Sequence, residues 1–296
     1  MDDPRQALLL LISVPLYSIL IGLEIVLSFI HHKGYYTLKD TLTNVYLSAL
    51  NFGLEIIIRV FCLGVLGFFY QYHFTSISNP WIYWIVLLIL QDIAFYFEHR
   101  IDHYCRLFWA VHVTHHSSDY YNLTTGFRSS VFQPLYRYLY FIPLALLGFK
   151  SLDIMLMYSA TQIYGILIHT KYVGKLGFLE YFMATPSHHR VHHASNALFL
   201  DKNMGMVFII WDKLFGTFAS EDDLQNEQLA YGLTKKLEQP HHPINIVFHE
   251  WRDIGKDLKR DLPLGIKLKY VFMPPGWSHD GSRKTSQQLR DELRRK

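Results

Sequence analysis

Three stretches of this chain are long, apolar and almost free of charge: residues 6 to 30, 42 to 72 and 80 to 97. At about 1.5 Å per residue, each approaches or spans a bilayer core of about 30 Å. Their charged residues are Glu24, the pair Glu55 and Arg59, and Asp92. Glu55 and Arg59 share a helical face, where they would pair with each other or face a bundle interior. The pattern predicts three transmembrane helices.

A second apolar region runs from Val131 to Phe149 and from Leu152 to His169, with residues 148 to 151 as the break. This pattern predicts a helical hairpin. Because Arg137 interrupts the first arm, a shallow or re-entrant hairpin is the alternative to one that spans fully. Both ends of the hairpin return to the same side.

We therefore predict an all-α integral membrane protein with about five membrane segments, capped by a cytosolic, histidine-rich helical domain that binds two metal ions. The predicted segments are transmembrane helices at 1–98, a first histidine region at 99–130, the membrane hairpin at 131–172, a third histidine box and cap at 173–220, and a basic cytosolic tail at 221–296.

The distribution of charge predicts the orientation in the membrane. The loop at 31–41 contains Lys33 and Lys39, whereas the loop at 71–79 contains no lysine or arginine. Counting back from His99 through three spans puts the loop at 31–41 on the histidine-rich side, so the positive-inside rule places that side in the cytoplasm. A bacterial inner membrane is the favoured location, with the endoplasmic reticulum as the alternative. The basic excess after residue 251 suits an anionic leaflet better than a nucleic acid, so no nucleic-acid partner is expected.

Histidine is concentrated in two short windows, 99–116 and 188–193, which hold nine of the seventeen histidines. The spacings are HxxxH, HxxHH and HxxHH. Residues three and four apart share a helical face, so each box would aim two or three imidazoles in one direction. Imidazole suits iron, zinc, copper and nickel, so the spacing predicts a metal pair without naming the metal. The box ligands are His99, His103, His112, His115, His116, His189, His192 and His193.

Several residues near the boxes are further candidates. His169 ends the hairpin on the predicted cytoplasmic side, where we expect a ninth ligand. Asp92 lies about two helical turns before His99 and is a candidate outer-shell residue, with a helix-capping or interhelical role as the alternative. His188 is expected in the outer shell or facing substrate. Asp102 and Asp119 flank the boxes and are expected to be solvated. No metal role is expected for His31, His32, His73, His241, His242, His249 and His279.

The boxes and the residues that follow them resemble the fatty acid hydroxylase superfamily, which includes the sterol desaturases. The motifs are HRIDH at 99–103, WAVHVTHHSSDYYNL at 109–123, PSHHRVHH at 186–193 and DKNMG at 201–205 with IWDKLFGT at 210–217. Within the superfamily the chain is similar to the alkylglycerol monooxygenase group and its bacterial sterol-desaturase-like relatives. Relatives whose hairpin ends in HxxxH have one more histidine, where this chain has Val173. The resemblance therefore implies either that one metal ion has an open or water-filled position or that His188 substitutes for the missing histidine.

The resemblance implies a non-haem di-iron, O2-dependent membrane oxygenase that hydroxylates or desaturates a lipid, including cleavage of an O-alkyl glycerol. Because imidazole also suits zinc, we expect that zinc can occupy the site in purified protein. Asp201, Asn203 and Asp212 match the family pattern, which implies outer-shell or cap-stabilising roles. We recognise no cytochrome b5 or flavin domain in the chain, so we expect an external electron donor: tetrahydrobiopterin, or a protein of the cytochrome b5 or ferredoxin type.

Three alternatives compete with an oxygenase. A redox-inert zinc pair would hydrolyse an ester but would not oxidise a C–H bond. A structural metal-binding membrane protein would carry the same boxes. A metal transporter would place ligands across the membrane, and the single-sided cluster argues against it.

Overall fold

The computed structural model describes residues 4–224 and 227–295. Every regular element within these ranges is helical, and the strand-like pairings there are two isolated bridges, Met183 with Phe208 and Ala194 with Tyr231. The α-helices are α1 (Pro4–Ile30), α2 (Leu38–Tyr70), α3 (Pro80–Tyr104), α4 (Arg106–His116), α5 (Ile142–Leu146), α6 (Ser151–Leu167), α7 (Pro186–His192), α8 (Ile210–Phe215), α9 (Pro243–Leu258), α10 (Leu264–Phe272) and α11 (Ser286–Arg294). The 3₁₀ turns are Leu123–Phe127, Gln133–Leu135, Arg137–Phe141, Gly177–Tyr181, Ala197–Phe199 and Glu221–Leu224.

Helices α1, α2 and α3 are each long and apolar enough to cross a membrane, which confirms the three predicted apolar helices. Local capping sets two of their starts. The Thr37 side chain accepts a hydrogen bond from the Asp40 amide, and the Asn79 side chain accepts from the amides of Trp81 and Ile82. Helix α3 continues past His99, where we expected the span to end, so the first histidine box extends the membrane-length helix.

The predicted hairpin has one regular arm. Helix α6 forms the second arm, whereas two 3₁₀ turns and the five-residue helix α5 make up most of the first. Pro134 and Pro143 lack the amide hydrogen that a continuous helix needs. Arg137 is buried and donates to Glu98 on α3 at 2.9 Å. The irregular arm therefore packs against protein, and a total of five membrane segments stays a prediction.

Polar side chains in the first two helices contact other segments. Glu55 accepts a hydrogen bond at 2.8 Å from the hydroxyl of Tyr138 in the hairpin, and Arg59 donates to Gln6 on α1. These contacts, and not a Glu55–Arg59 pair, are what the structure shows. The main apolar core lies between α2, α3 and the hairpin and includes Leu66, Leu87, Phe141, Phe149, Ile154 and Met155.

The segment after residue 221 folds back onto the histidine-bearing helices. Arg106 begins α4 and donates to Glu250 at 2.6 Å and to Asp257 at 2.7 Å, both on α9. Helix α11 packs against the turn Ala197–Phe199. The predicted basic tail is thus a set of helices attached to the region that carries the boxes.

Candidate metal centre

Short helices bring the histidine boxes together. Cys105, in an extended conformation, is the single residue between α3 and α4, so the chain changes direction directly after the first box. Helix α4 carries the second box and α7 with its C-cap residue His193 carries the third. His169 follows α6 by two residues and is buried.

The nine histidines that we predicted as ligands form two groups, and within each group one nitrogen from every ring lies within 4.8 Å of the others. Opposite ligands of one metal ion lie about 4 Å apart when each metal–nitrogen distance is about 2 Å, so each group has the dimensions of a single site. The five-histidine group is His99, His103, His112, His116 and His192, and the four-histidine group is His115, His169, His189 and His193.

Helical geometry divides the boxes between the groups. His115 and His116 are adjacent in sequence but point about 100° apart around α4, so they join different groups. His192 and His193 are divided in the same way. The groups nevertheless touch, since the rings of His116 and His193 stack with centroids 4.5 Å apart. The arrangement is two adjacent clusters, each with the dimensions of a single metal site.

Hydrogen bonds donated by Nδ1 orient four of the rings. In the five-histidine group, His99 donates to the Met204 carbonyl at 2.8 Å and His192 donates to the Lys202 carbonyl at 2.9 Å. In the four-histidine group, the acceptors are the Arg128 carbonyl for His115 and the Gly165 carbonyl for His169. A carbonyl only accepts, so the hydrogen of these neutral rings is on Nδ1 and the Nε2 lone pair is free for a metal ion.

The Nε2 atoms show the pattern expected of a metal site. Those of His103 and His192 are buried without a hydrogen-bond partner. His169 Nε2 lies 2.9 Å from that of His189 and 3.1 Å from that of His193, although its own hydrogen is on Nδ1. A buried polar atom without a partner costs free energy, and a cation between converging lone pairs removes that cost. The residues therefore fit a pair of transition-metal ions.

Burial favours the neutral form of six of these imidazoles. It lowers the pKa of His115 to about 4 and lowers the pKa of His112, His116, His189, His192 and His193 well below the usual value for histidine. A metal binds the neutral ring, so these six rings are in their ligating form at neutral pH.

Of the four aspartate and asparagine residues predicted in the outer shell, one contacts a histidine and three bind backbone groups. Asp201 lies 3.3 Å from His103 Nδ1. Asn203 binds the backbone of Ala219 and donates to the His188 carbonyl. The Asp92 carboxylate accepts hydrogen bonds from the amides of Val207 and Phe208 and from the Trp211 indole. The Asp212 carboxylate accepts hydrogen bonds from the amides of Met204 and Gly205. Asp92, Asn203 and Asp212 thus hold the backbone of residues 203–208.

His188 lies outside both histidine groups. Its Nε2 is 3.1 Å from a Glu180 carboxylate oxygen, and its Nδ1 is 3.1 Å from the Met183 carbonyl. Both ring nitrogens therefore have protein neighbours at the base of α7.

Comparison with known proteins agrees with this geometry. The family model for fatty acid hydroxylase matches residues 84–217, the segment that supplies every member of both histidine groups. The chain belongs to the fatty acid hydroxylase family. The predicted family is confirmed.

Several proteins similar to this family member have names that describe enzymes acting on lipids. Alkylglycerol monooxygenase from Homo sapiens is 38% identical over 200 residues, which is 68% of this chain and 43% of that protein. The Danio rerio protein of the same name is 33% identical over 276 residues, 90% of this chain and 59% of that one. Ornithine lipid hydroxylase from Rhizobium tropici is 31% identical over 58% of this chain and 54% of its own. The chain spans about half the length of these relatives. No solved structure is significantly similar to it.

A buried polar network beneath this hydroxylase-family site was not predicted from the sequence. Asp102, which we expected to be solvated, is fully buried and lies 3.7 Å from His112 Nδ1. Its carboxylate accepts hydrogen bonds from Tyr136 at 2.6 Å and from Gln133 at 2.7 Å. One feature of the sequence could have indicated this network. Arg137 is a charged residue within an apolar arm, and a buried cation requires an acidic partner. Asp119 is exposed, as expected.

A cavity of about 1040 Å³ reaches both histidine groups. His103, His116, His192 and His193 border it on one side, together with Trp109. Its opposite wall comes from residues 232–256 and 275–289. The described residues that border it do not include any from α1, α2 or α6, so the cavity lies on the side formed by the tail.

Proposed function

We propose that this protein is a metal-dependent oxygenase that hydroxylates or desaturates a membrane lipid, with one iron ion in each histidine group. The observation that carries this proposal is the division of nine imidazoles, eight of them buried and that of His115 partly buried, between two adjacent groups at the end of a membrane-length helix. Membership of the fatty acid hydroxylase family supports iron over zinc, and zinc occupancy in purified protein is compatible with the same donors.

The substrate class follows from the relatives. We propose an O-alkyl glycerol lipid as the first substrate to test, because relatives named alkylglycerol monooxygenase match up to 90% of this chain. O2 is the second substrate. The electron donor is separate from this chain and is either tetrahydrobiopterin or a protein of the cytochrome b5 or ferredoxin type.

The chain's own residues would bind and orient the reacting components. Bound iron would supply O2 activation and oxidation of a C–H bond, which zinc does not. The nine histidines would hold the ions, and the four rings whose Nδ1 donates to a backbone carbonyl, those of His99, His115, His169 and His192, would bind through Nε2. The exposed apolar surfaces of α1 to α3 would hold the protein in the bilayer, from which the lipid chain arrives. The cavity would admit water-soluble components from the tail side.

We further propose that the histidine groups face the cytoplasm. Lys33 in the loop before α2, Lys39 in the first turn of α2, and the absence of lysine and arginine from the loop at 71–79 support this orientation. A bacterial inner membrane is the favoured location and the endoplasmic reticulum the alternative.

The proposal is tested with detergent-purified full-length protein loaded with Fe²⁺. Alkylglycerols, sterols and acyl lipids are supplied separately, each with tetrahydrobiopterin or with a reduced ferredoxin or cytochrome b5. Metal content, O2 consumption and products by mass spectrometry are measured. We expect two iron ions per chain and O2 uptake that requires an alkylglycerol. Tightly bound zinc and no oxidation under any iron-loading condition would contradict the oxygenase and favour a zinc hydrolase or a structural metal site.

A further inference from the structure

The C-terminal helix α11 contacts the loop that orients the five-histidine group. We infer that Arg290 on α11 is a positioning residue for the metal ion of that group, acting through residues 200–204. The inference rests on the proposed metal pair. It concerns a residue well beyond the segment 84–217 that the family model matches.

The loop supplies acceptors to three of the five rings. Its Asp201 carboxylate lies 3.3 Å from His103 Nδ1. The carbonyl of Lys202 accepts from His192, and the carbonyl of Met204 accepts from His99. In the four-histidine group, the acceptors for His115 and His169 lie on other segments of the chain. A shift of residues 201–204 would therefore disturb one group selectively.

The loop backbone requires support from outside. Asp201 and Asn203 both have positive φ angles, 57° and 54°, a region that residues other than glycine occupy at a cost. On the C-terminal side, the Asn203 side chain binds the Ala219 backbone, and Asp212 accepts from the Met204 amide at 2.7 Å. Such conformations persist when the surrounding structure holds them.

Arg290 supplies the support on the N-terminal side. Its guanidinium donates to the Leu200 carbonyl and lies 3.9 Å from Asp201 Oδ2, while the other oxygen of that carboxylate faces His103. The Arg290 side chain is buried, and Gln287 accepts a hydrogen bond from it at 2.8 Å. The Asp201 carboxylate thus connects the tail helix to a candidate ligand, and its negative charge is stabilised from the tail side.

The test compares Arg290→Gln with Arg294→Gln, an exposed position on the same helix, in the full-length protein. Each variant is titrated with Co²⁺, whose visible absorption reports its ligands. His192→Ala and His189→Ala identify which absorption belongs to which group. Because loss of an outer-shell partner lowers metal affinity about 10–100-fold, we expect that loss in Arg290→Gln for the five-histidine group alone. Arg294→Gln should match wild type, and Arg290→Lys should recover part of the affinity.

Equal weakening of both metal ions, or affinities and spectra identical to wild type, would overturn the inference. If Arg290→Gln does not fold, the same Co²⁺ titration is made with Asp201→Asn. This variant keeps the side-chain size and loses the charge between Arg290 and His103, so it should also weaken binding by the five-histidine group alone. Failure of the wild-type protein to bind two Co²⁺ ions would refute the proposed metal pair itself. Two bound ions with no selective effect would refute only the role of Arg290.

Discussion

At the scale of single residues, His188 and His192 lie on one short helix but have different surroundings. His192 has a buried Nε2 without a partner, whereas both nitrogens of His188 have protein neighbours. We expect His192→Ala to weaken one of the two metal sites more than about 100-fold, because outer-shell changes alone cost about 10–100-fold. His188→Ala should keep both sites. Metal content and affinity measure the difference, and loss of a metal in His188→Ala would make His188 a ligand.

The buried histidines also predict how the metal-free protein responds to acid. The pKa of His115 is lowered to about 4, and five other ring pKa values are also lowered by burial. Between the unfolded value of about 6.5 and these lowered values, the unfolded chain binds more protons than the folded one. Stability should therefore fall as pH decreases below about 6.5, by up to about 1.4 kcal/mol per pH unit for each such histidine. A thermal midpoint that stays constant from pH 7.5 to 5 would contradict this expectation.

At the scale of elements, the ion pair between Glu98 and Arg137 joins α3 to the irregular arm of the hairpin. Both side chains are buried. Replacing one partner leaves an unpaired buried charge, so Arg137→Met should destabilise the protein by about 3–5 kcal/mol. The double variant Glu98→Gln with Arg137→Met should be less destabilised than Arg137→Met alone. Chemical unfolding in detergent measures both, and equal stability of Arg137→Met and wild type would show that the pair is dispensable.

The turn of the hairpin provides a second prediction about an element. Gly148 has a φ of 86°, and a Cβ atom there would collide with the Thr75 carbonyl of the loop between α2 and α3. We expect Gly148→Ala to lower stability by at least about 1–2 kcal/mol, the usual cost of a left-handed conformation, with the collision adding to it. Gly174→Ala is the matched control, because no heavy atom lies within 4 Å of its added Cβ. Equal melting temperatures for the two variants would contradict the turn geometry.

The hairpin also shows where the apolar pattern was insufficient. Residues 131–149 are apolar enough to predict a helix, and the predicted break at 148–151 overlaps the observed one, which lies between the end of α5 at Leu146 and the start of α6 at Ser151. The apolar pattern does not predict that Arg137 donates a hydrogen bond to Glu98, 39 residues earlier, or that Tyr138 donates one to Glu55. These long-range contacts stabilise an irregular arm that a helical pattern alone would not predict.

At the scale of the whole molecule, the orientation in the membrane is a direct test of the charge argument. Two variants are made in a background in which Cys62 and Cys105 are replaced. One has a single cysteine at Ser76, in the loop at 71–79, and the other has a single cysteine at His241, before α9. Both positions are exposed. In intact bacterial cells with a permeable outer membrane, we expect an impermeant maleimide to label Ser76→Cys. His241→Cys should react only after the inner membrane is opened, and the reverse pattern would place the histidine groups outside.

The local sequence alone determined much of this protein. Apolar runs predicted α1 to α3, and the spacing of the boxes predicted which imidazoles share a helical face. Both properties depend on residues within a few positions of each other, so they can be recognised in a single chain. The motifs around the boxes similarly predicted the family.

Only the tertiary structure decided how these parts meet. It divided the nine histidines five to four, buried Asp102 beneath His112, and brought Arg290 to Asp201 across 89 positions. Helical periodicity gives the direction of a side chain on its own helix, but it does not give the distance to another helix. That distance depends on the packing of the whole chain, which is why the metal-ligand candidates could be predicted from the sequence and their surroundings could not.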